Sequence, residues 1–131
     1  MQHAAATRNR SRSAAIPLTA QARLLSALAH PARLALVAAL RTDEACACHL
    51  AATLRQARPY VSQQLAILRQ AGLITGRRDG TFIYYRLRDY AVLAMLDLAS
   101  GLSGMPEGSL AVPRGCRCPR CRVETGDRDA R

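Results

Sequence analysis

The sequence of 131 residues has no tryptophan and no lysine, and only 4% of it is aromatic. None of its apolar runs approaches the roughly 18 residues needed to cross a bilayer. Each shortage excludes something. With so few aromatic side chains, a core has to come from Leu, Ala, Val and Ile, a mixture that favours helices. Without a long apolar run no membrane-spanning protein is expected. Residues 1–16 show no continuous hydrophobic segment behind their basic residues, so the expected location is cytoplasmic, with no membrane partner. There is no Gly-rich phosphate loop and no paired-carboxylate constellation. The Cys-x-x-Cys near the C-terminus does not follow a strand as a thioredoxin-like motif would. An enzyme is therefore not expected.

Acidic residues are scarce too. Nine of them face 19 basic ones, giving a formal charge of +10 that points to a polyanionic partner. That every basic residue is Arg goes with an Ala-rich composition of the kind a GC-rich genome imposes, and carries no functional weight. The length suits one domain with one core. Five cysteines are an odd number for a disulfide scaffold, and their clustering points to metal or redox chemistry.

Residues 1–18 read as a disordered basic arm, with Arg8, Arg10 and Arg12 and no acid. From Thr19 the pattern changes. Leu24, Leu25 and Leu28 fall at helical spacing, and His30-Pro31 closes that helix and opens a second, whose inner face is Leu34, Val37, Ala38 and Leu40. A short connection at Thr42-Asp43-Glu44 precedes a brief third helix marked by Leu50, Ala51 and Leu54, and residues 55–58 form a turn. The segment Pro59 to Ala71, closed by Gly72, is a longer helix with Val61, Leu65 and Leu68 as its buried stripe. Tyr60, Ser62, Gln63 and Gln64 are left facing outward near its start. Asp79-Gly80 lies between β-prone runs and signals a tight hairpin with Arg77 and Arg78 at its tip. Asp89 is the expected N-cap of a last helix over Tyr90 to Leu102. Residues 103–131, with four Gly, three Pro and little apolar content, read as a flexible tail that holds Cys116, Cys118 and Cys121.

Helix, helix, short helix, turn, longer helix, basic-tipped hairpin and helix spell a winged helix-turn-helix over residues 19–102, mainly α with a two-stranded β-hairpin. In such a fold the helix from Pro59 enters the major groove, which is wide enough for one α-helix, while the hairpin lies against the phosphates or the adjacent minor groove. Tyr60, Ser62, Gln63 and Gln64 are then the candidate readers of double-stranded DNA, and Arg58, Arg77 and Arg78 the candidate phosphate clamps.

Three stretches now carry a resemblance. Leu28-Ala29-His30-Pro31-Ala32-Arg33, the run from Val61 to Ile74, and the run from Arg77 to Leu87 resemble the ArsR/SmtB family of small bacterial winged-helix repressors and together span most of residues 19–102. The resemblance implies a homodimer paired through its first and last helices, binding an operator of inverted half-sites and releasing it when an inducer binds. Apolar faces on Leu24, Leu28, Leu93 and Leu96 independently favour dimerisation, since so small a chain has few other ways to cover them.

Cys46-Ala47-Cys48 opens the helix before the reading helix, where arsenic-responsive and cadmium- or lead-responsive family members carry Cys-x-Cys followed by Asp. This sequence has His49 in place of that Asp. In a regular helix, residues two apart point about 200° away from each other, so the two sulfurs can chelate one ion only where the helix start is unwound or not helical. Unwinding would tilt the reading helix and so couple ligation to release. The positive end of a helix also favours thiolate over thiol. The second cluster, Cys116-Arg117-Cys118-Pro119-Arg120-Cys121, packs three thiols into six residues behind a linker that spans on the order of 20 Å if flexible. It can share a site with Cys46 and Cys48 of its own or the partner protomer, form a site of its own, or play no metal role.

Sulfur ligation selects soft or borderline ions: As(III), Sb(III), Pb(II), Cd(II), Zn(II) or Cu(I). The expected inducer is a thiolate-bound As(III), Cd(II), Pb(II) or Zn(II), with His49 a further candidate ligand. The family's other metal site uses Asp and His pairs on the last helix. That helix has no His here, so the site is absent despite Asp89 and Asp97. Two rival readings remain. One is a redox- or persulfide-responsive repressor in which Cys46 or Cys48 pairs with a tail cysteine. The other is an RNA-binding protein with a zinc knuckle at Cys116 to Cys121 and Phe82, Tyr84 and Tyr85 as base-stacking residues.

Overall fold

The computed structural model describes residues 17–104 together with 118 and 119. The expected basic arm, apart from its last two residues, and most of the expected tail, including Cys116 and Cys121, lie outside the described residues. The elements follow as α1 (Thr19–Leu28), α2 (Pro31–Ala39), β1 (Ala45–Cys46), α3 (Ala47–Leu54), α4 (Arg58–Gln70), β2 (Ile74–Asp79), β3 (Phe82–Leu87) and α5 (Ala91–Ser103).

Local chemistry sets most of these boundaries. His30 is extended, its Nδ1 accepts the Ala32 N–H at 3.1 Å, and Pro31 takes the first helical position of α2. Asp89 Oδ1 accepts the Ala91 N–H at 2.8 Å at the start of α5. Between α3 and α4 the chain turns through Arg55, which sits in the left-handed region at φ 53° while Gln56 N–H reaches back to the Ala51 carbonyl at 3.1 Å. A side chain at that φ costs about 1–2 kcal/mol that glycine avoids. Arg55→Gly should therefore stabilise the fold by about 0.5–1 kcal/mol once glycine's extra unfolded-state entropy is subtracted. A denaturant melt whose midpoint rises with an unchanged slope is the check.

The sheet departs from the expected two-stranded hairpin: it is three antiparallel strands in the order β1-β3-β2. β1 was illegible because two residues are too few to show alternation. The hairpin turn is Gly80-Thr81, closed by the Asp79 and Phe82 pair, with Gly80 at φ +60° and no positive φ at Thr81. Glycine in the first central position is the type II′ arrangement, whose twist matches the strands. Arg77 and Arg78 consequently lie within β2 rather than at the tip.

Cross-strand register separates the two faces. Ala45, Tyr85 and Gly76 form one row across the three strands, on the side of Ile74 and Leu87, which pack onto the helices. Cys46, Tyr84 and Arg77 form the next row, on the opposite face. The core itself joins Leu36, Val37, Leu40, Leu50, Val61, Leu65 and Leu68, all fully buried. Two sequence expectations are corrected here. Leu36, not Leu34, faces inward from α2, and Leu34 is exposed. Leu28, Leu93 and Leu96 are covered within the chain and Leu24 is half-buried against the same core, so they are not a dimer face; the apolar side chains left uncovered include Leu18, Leu25, Leu98 and Leu102. Among the described residues no helix is long and apolar enough to cross a membrane.

Candidate nucleic-acid interface and cysteine site

Helix α4 buries Val61, Leu65 and Leu68 and leaves Ser62, Gln63 and Ala66 exposed along its outer side, with Arg58 exposed in its first turn. Five of the candidate contacts, Arg58, Ser62, Gln63, Arg77 and Arg78, are exposed. Gln64 is not. It is 8% exposed, and its Oε1 accepts a hydrogen bond from Arg33 Nη1 at 2.9 Å. On the helical wheel position 64 lies about 40° beyond Leu68, at the edge of the buried stripe, so its side chain can turn inward. Arg33 also donates from Nε to the Ala27 carbonyl at 2.5 Å and from Nη2 to the Ser26 carbonyl at 3.4 Å. Gln64 and Arg33 therefore tie the end of α1 to the reading helix and support it rather than read. Tyr60 is half-buried, and lines a cleft of about 240 Å³ with His30, Pro31, Leu54 and Gln56.

Arg77 and Arg78 face opposite sides of the wing, because successive strand residues alternate. Arg78 pairs with Ile83 on the helix side and is exposed. Arg77 is held. Its Nε donates to Glu44 Oε2 at 2.9 Å and its Nη2 to Glu44 Oε1 at 2.5 Å, and its guanidinium lies 4.8 Å from the centre of the Tyr84 ring. Hydrogen bonding to Glu44 holds the Arg77 guanidinium charged above its ordinary value, against a smaller opposing effect of desolvation. Arg77 thus braces the sheet's outer face while its side chain stays 54% exposed.

On that face lies the cysteine site. Cys46 ends β1 in an extended conformation and caps α3, its Sγ accepting the His49 N–H at 3.4 Å, while Cys48 is the second residue of the helix. The sulfurs stand 3.1 Å apart. The expected geometric conflict is therefore resolved without unwinding: one sulfur belongs to a strand, the other to a helix, and both reach the same point. Two thiolates on a tetrahedral ion with 2.3 Å bonds stand about 3.8 Å apart, so the pair needs only to open slightly to hold one. Cys118 joins them. It is 1% exposed and forms a buried cluster with Cys46 and Tyr84, against which Cys48 and Phe82 pack. Tyr84 is on the face away from the helices, yet is buried to 2% exposure. Cys46, Cys48 and Cys118 are thiols in this state. Among the described residues no three His, Cys, Asp or Glu side chains already surround one point closely enough to hold an ion. Cys46 and Cys48 are in contact with each other, and Cys118 packs in the same cluster. Asp97 pairs with Arg41 at 2.7 Å and Asp89 caps α5, so neither is arranged as a ligand.

Sequence reasoning gave Glu44 and Arg33 no role at the site and read Tyr84 only as a base-stacking residue of the rival RNA-binding protein. The alternation of Phe82-Ile83-Tyr84-Tyr85-Arg86-Leu87 held a usable signal: apolar side chains on both faces of β3 mean that something covers the second face.

Residues 30–75 match the model of bacterial regulatory proteins of the arsR family. A biofilm growth-associated repressor of Agrobacterium fabrum is 38% identical over 87 residues, covering 66% of this chain and 74% of that protein. The chain belongs to the ArsR family. The HTH-type transcriptional repressor SmtB of Mycobacterium tuberculosis is 45% identical over 73 residues, 56% of this chain; the match spans only about half the length of that relative, 54%. Among solved structures, a homodimeric winged helix-turn-helix DNA-binding domain of Mycobacterium bovis, described as a possible ArsR-family regulator, superposes with a TM-score of 0.60 at 29% identity, covering 66% of this chain and 81% of that one. The winged helix-turn-helix expected from the order of elements is the fold of this ArsR-family chain, and a family of regulatory proteins agrees with the expectation that it is not an enzyme.

Proposed function

We propose that this ArsR-family protein is a homodimeric transcriptional repressor that grips operator DNA through α4 and the wing and lets go when a thiophilic ion binds its cysteine thiolates. The observation that carries the ion reading is the meeting of Cys46 and Cys48 sulfurs at 3.1 Å beside buried Cys118. Ser62 and Gln63 read base edges, and Arg58 and Arg78 hold phosphates. Cys46 and Cys48 supply the first two sulfurs, and the tail cysteines, Cys118 with Cys116 or Cys121, supply the remainder. An all-sulfur, water-poor site suits As(III), Pb(II), Cd(II) or Zn(II).

The test is an anaerobic titration of the reduced protein with Cd(II), Pb(II) and As(III), following sulfur-to-metal charge-transfer absorption alongside fluorescence anisotropy of a labelled operator. Saturating bands at a defined ratio per protomer, with loss of anisotropy at the same ratio, support the reading. No band with any ion, together with an oxidised form containing a Cys118 disulfide to Cys46 or Cys48, replaces it with a redox-responsive repressor; burial of Cys118 against Cys46 is what keeps that alternative in play.

The DNA contacts make a separate expectation. Arg78→Ala should weaken binding to all sequences alike and reduce the slope of log K against log salt by about 1, whereas Gln63→Ala should relax preference at one position of each half-site at a cost of about 1–3 kcal/mol. Binding curves at several salt concentrations on wild-type and single-base-variant operators check both. An unchanged preference for Gln63→Ala would mean that α4 lies differently in the groove.

A further inference from the structure

We propose that Glu44, Arg77 and Tyr84 form a relay that carries the state of the cysteine site into the wing, making Glu44 and Arg77 positioning residues for ion-driven release. The proposal rests on the reading of Cys46 and Cys48 as the ion site and names how that site acts on DNA binding.

The cysteines do not need to unwind α3 to meet, so coupling to the DNA face does not require helix distortion. The sheet offers another. Cys46, Tyr84 and Arg77 are consecutive members of one cross-strand row, and side chains directly opposite on neighbouring strands touch. Arg77 is gripped from both sides of the site: by Glu44, two residues before Cys46 on the same chain, and by the ring of Tyr84, which shares a buried cluster with Cys46 and Cys118. A planar guanidinium held by a two-point carboxylate pair and stacked on a ring has little freedom to adapt. Opening the sulfurs and drawing Cys118 in displaces both anchors, and Arg77 must follow. Arg77 belongs to β2, and the next residue, Arg78, projects from the opposite face toward the side that carries α4. A shift of β2 that follows Arg77 re-aims Arg78 away from the phosphate it holds. Exposed ion pairs contribute little to stability. Here the Glu44 side chain is 17% exposed and that of Arg77 54%, so the pair acts by position rather than by adding stability.

Glu44→Gln keeps the shape of the side chain and removes its charge. In the titration above it is expected to give the wild-type band and stoichiometry and an ion-free operator affinity within about threefold of wild type, while its ratio of ion-free to ion-loaded affinity falls to within about twofold of unity. Arg77→Lys, which keeps the charge but loses the two-point fork, should lose that ratio as well. The double variant should do no worse than either single one, since both break the same link. Arg78→Ala, which removes the contact that the relay re-aims, should lower the ion-free affinity and shrink the ratio as well; a wild-type ratio in Arg78→Ala overturns Arg78 as the end of the relay. Full ion-driven release from Glu44→Gln overturns the relay, as does loss of its charge-transfer band, which would put Glu44 in the ligation step itself. A wild-type protein with no band fails at the ion site instead, and that outcome is distinguishable because it appears before any variant is compared.

Discussion

With Cys46 and Cys48 both replaced by Ser, the protein is expected to hold its operator as tightly as the wild type and to ignore Cd(II), Pb(II) and As(III). The first half follows from what the two residues do in the fold. Cys46 caps α3 through its sulfur, and Ser is among the best N-cap residues, so the helix keeps its start. Cys48 is half-buried at the edge of the Tyr84 cluster, where an oxygen in place of sulfur leaves little void. The reading helix is supported from elsewhere, by Val61, Leu65 and Leu68 beneath it and by the Arg33 and Gln64 hydrogen bonds to the end of α1. The second half follows from ligand chemistry. Hydroxyls do not ionise near neutral pH and are poor ligands for soft ions, so the charge-transfer band should vanish and the ion-dependent change in affinity, about 5- to 150-fold for coupled sites of this kind, should collapse to none. Anisotropy titrations with and without ion, read against a thermal melt, check it. A double variant that no longer binds DNA when ion-free would show that the thiols are part of the DNA-binding structure rather than a sensor attached to it.

The order of elements was largely legible in the sequence, and where it was not, the reasons are physical. His30-Pro31, the Val61, Leu65 and Leu68 stripe and the Asp79-Gly80 turn each state a local preference that the tertiary structure had no cause to override. Gln64 misled because a polar residue beside an apolar stripe reads as outward until its partner is known, and Arg33 lies 31 residues away. Arg77 and Arg78 read as a pair because adjacency in sequence looks like adjacency in space; in a strand it means opposite faces. β1 was too short for any periodic signal, and its existence is what brings Cys46 beside Tyr84 and dispenses with helix unwinding. The residues left uncovered on the first and last helices were misread for a related reason. Leu24, Leu28, Leu93 and Leu96 are spaced as an apolar face, but periodicity identifies the buried side of a helix without saying whether its own chain or another covers it.

The residues that remain uncovered lead to the second large effect: Leu25→Glu combined with Leu98→Glu should leave a folded monomer that has lost most of its operator affinity. Single exposed leucines are ordinary on a protein surface. Their distribution here is not, because among the described residues five of the seven large exposed apolar side chains lie on or beside α1 and α5, namely Leu18, Leu25, Tyr90, Leu98 and Leu102. These two helices flank one cleft of about 420 Å³ lined by Leu24, Val92 and Met95. Leu25 and Leu98 are 51% and 70% exposed, so a carboxylate at either position is solvated in the monomer and costs the fold little. At an interface the same carboxylate is buried without a partner, which is far more costly than the leucine contact it replaces. Operator binding then suffers through geometry. Two reading helices on one dimer bind inverted half-sites as linked events, and separating them forfeits an effective concentration worth about 10²- to 10⁴-fold in affinity without altering a single base contact. Sedimentation at equilibrium should show half the wild-type mass, an unchanged circular dichroism melt should show the fold intact, and binding to one isolated half-site should remain at its wild-type value. A variant that stays dimeric would place the two-fold axis on another face, and Leu34 and Ile67, at 37% and 38% exposed on α2 and α4, are the only other large apolar side chains exposed among the described residues.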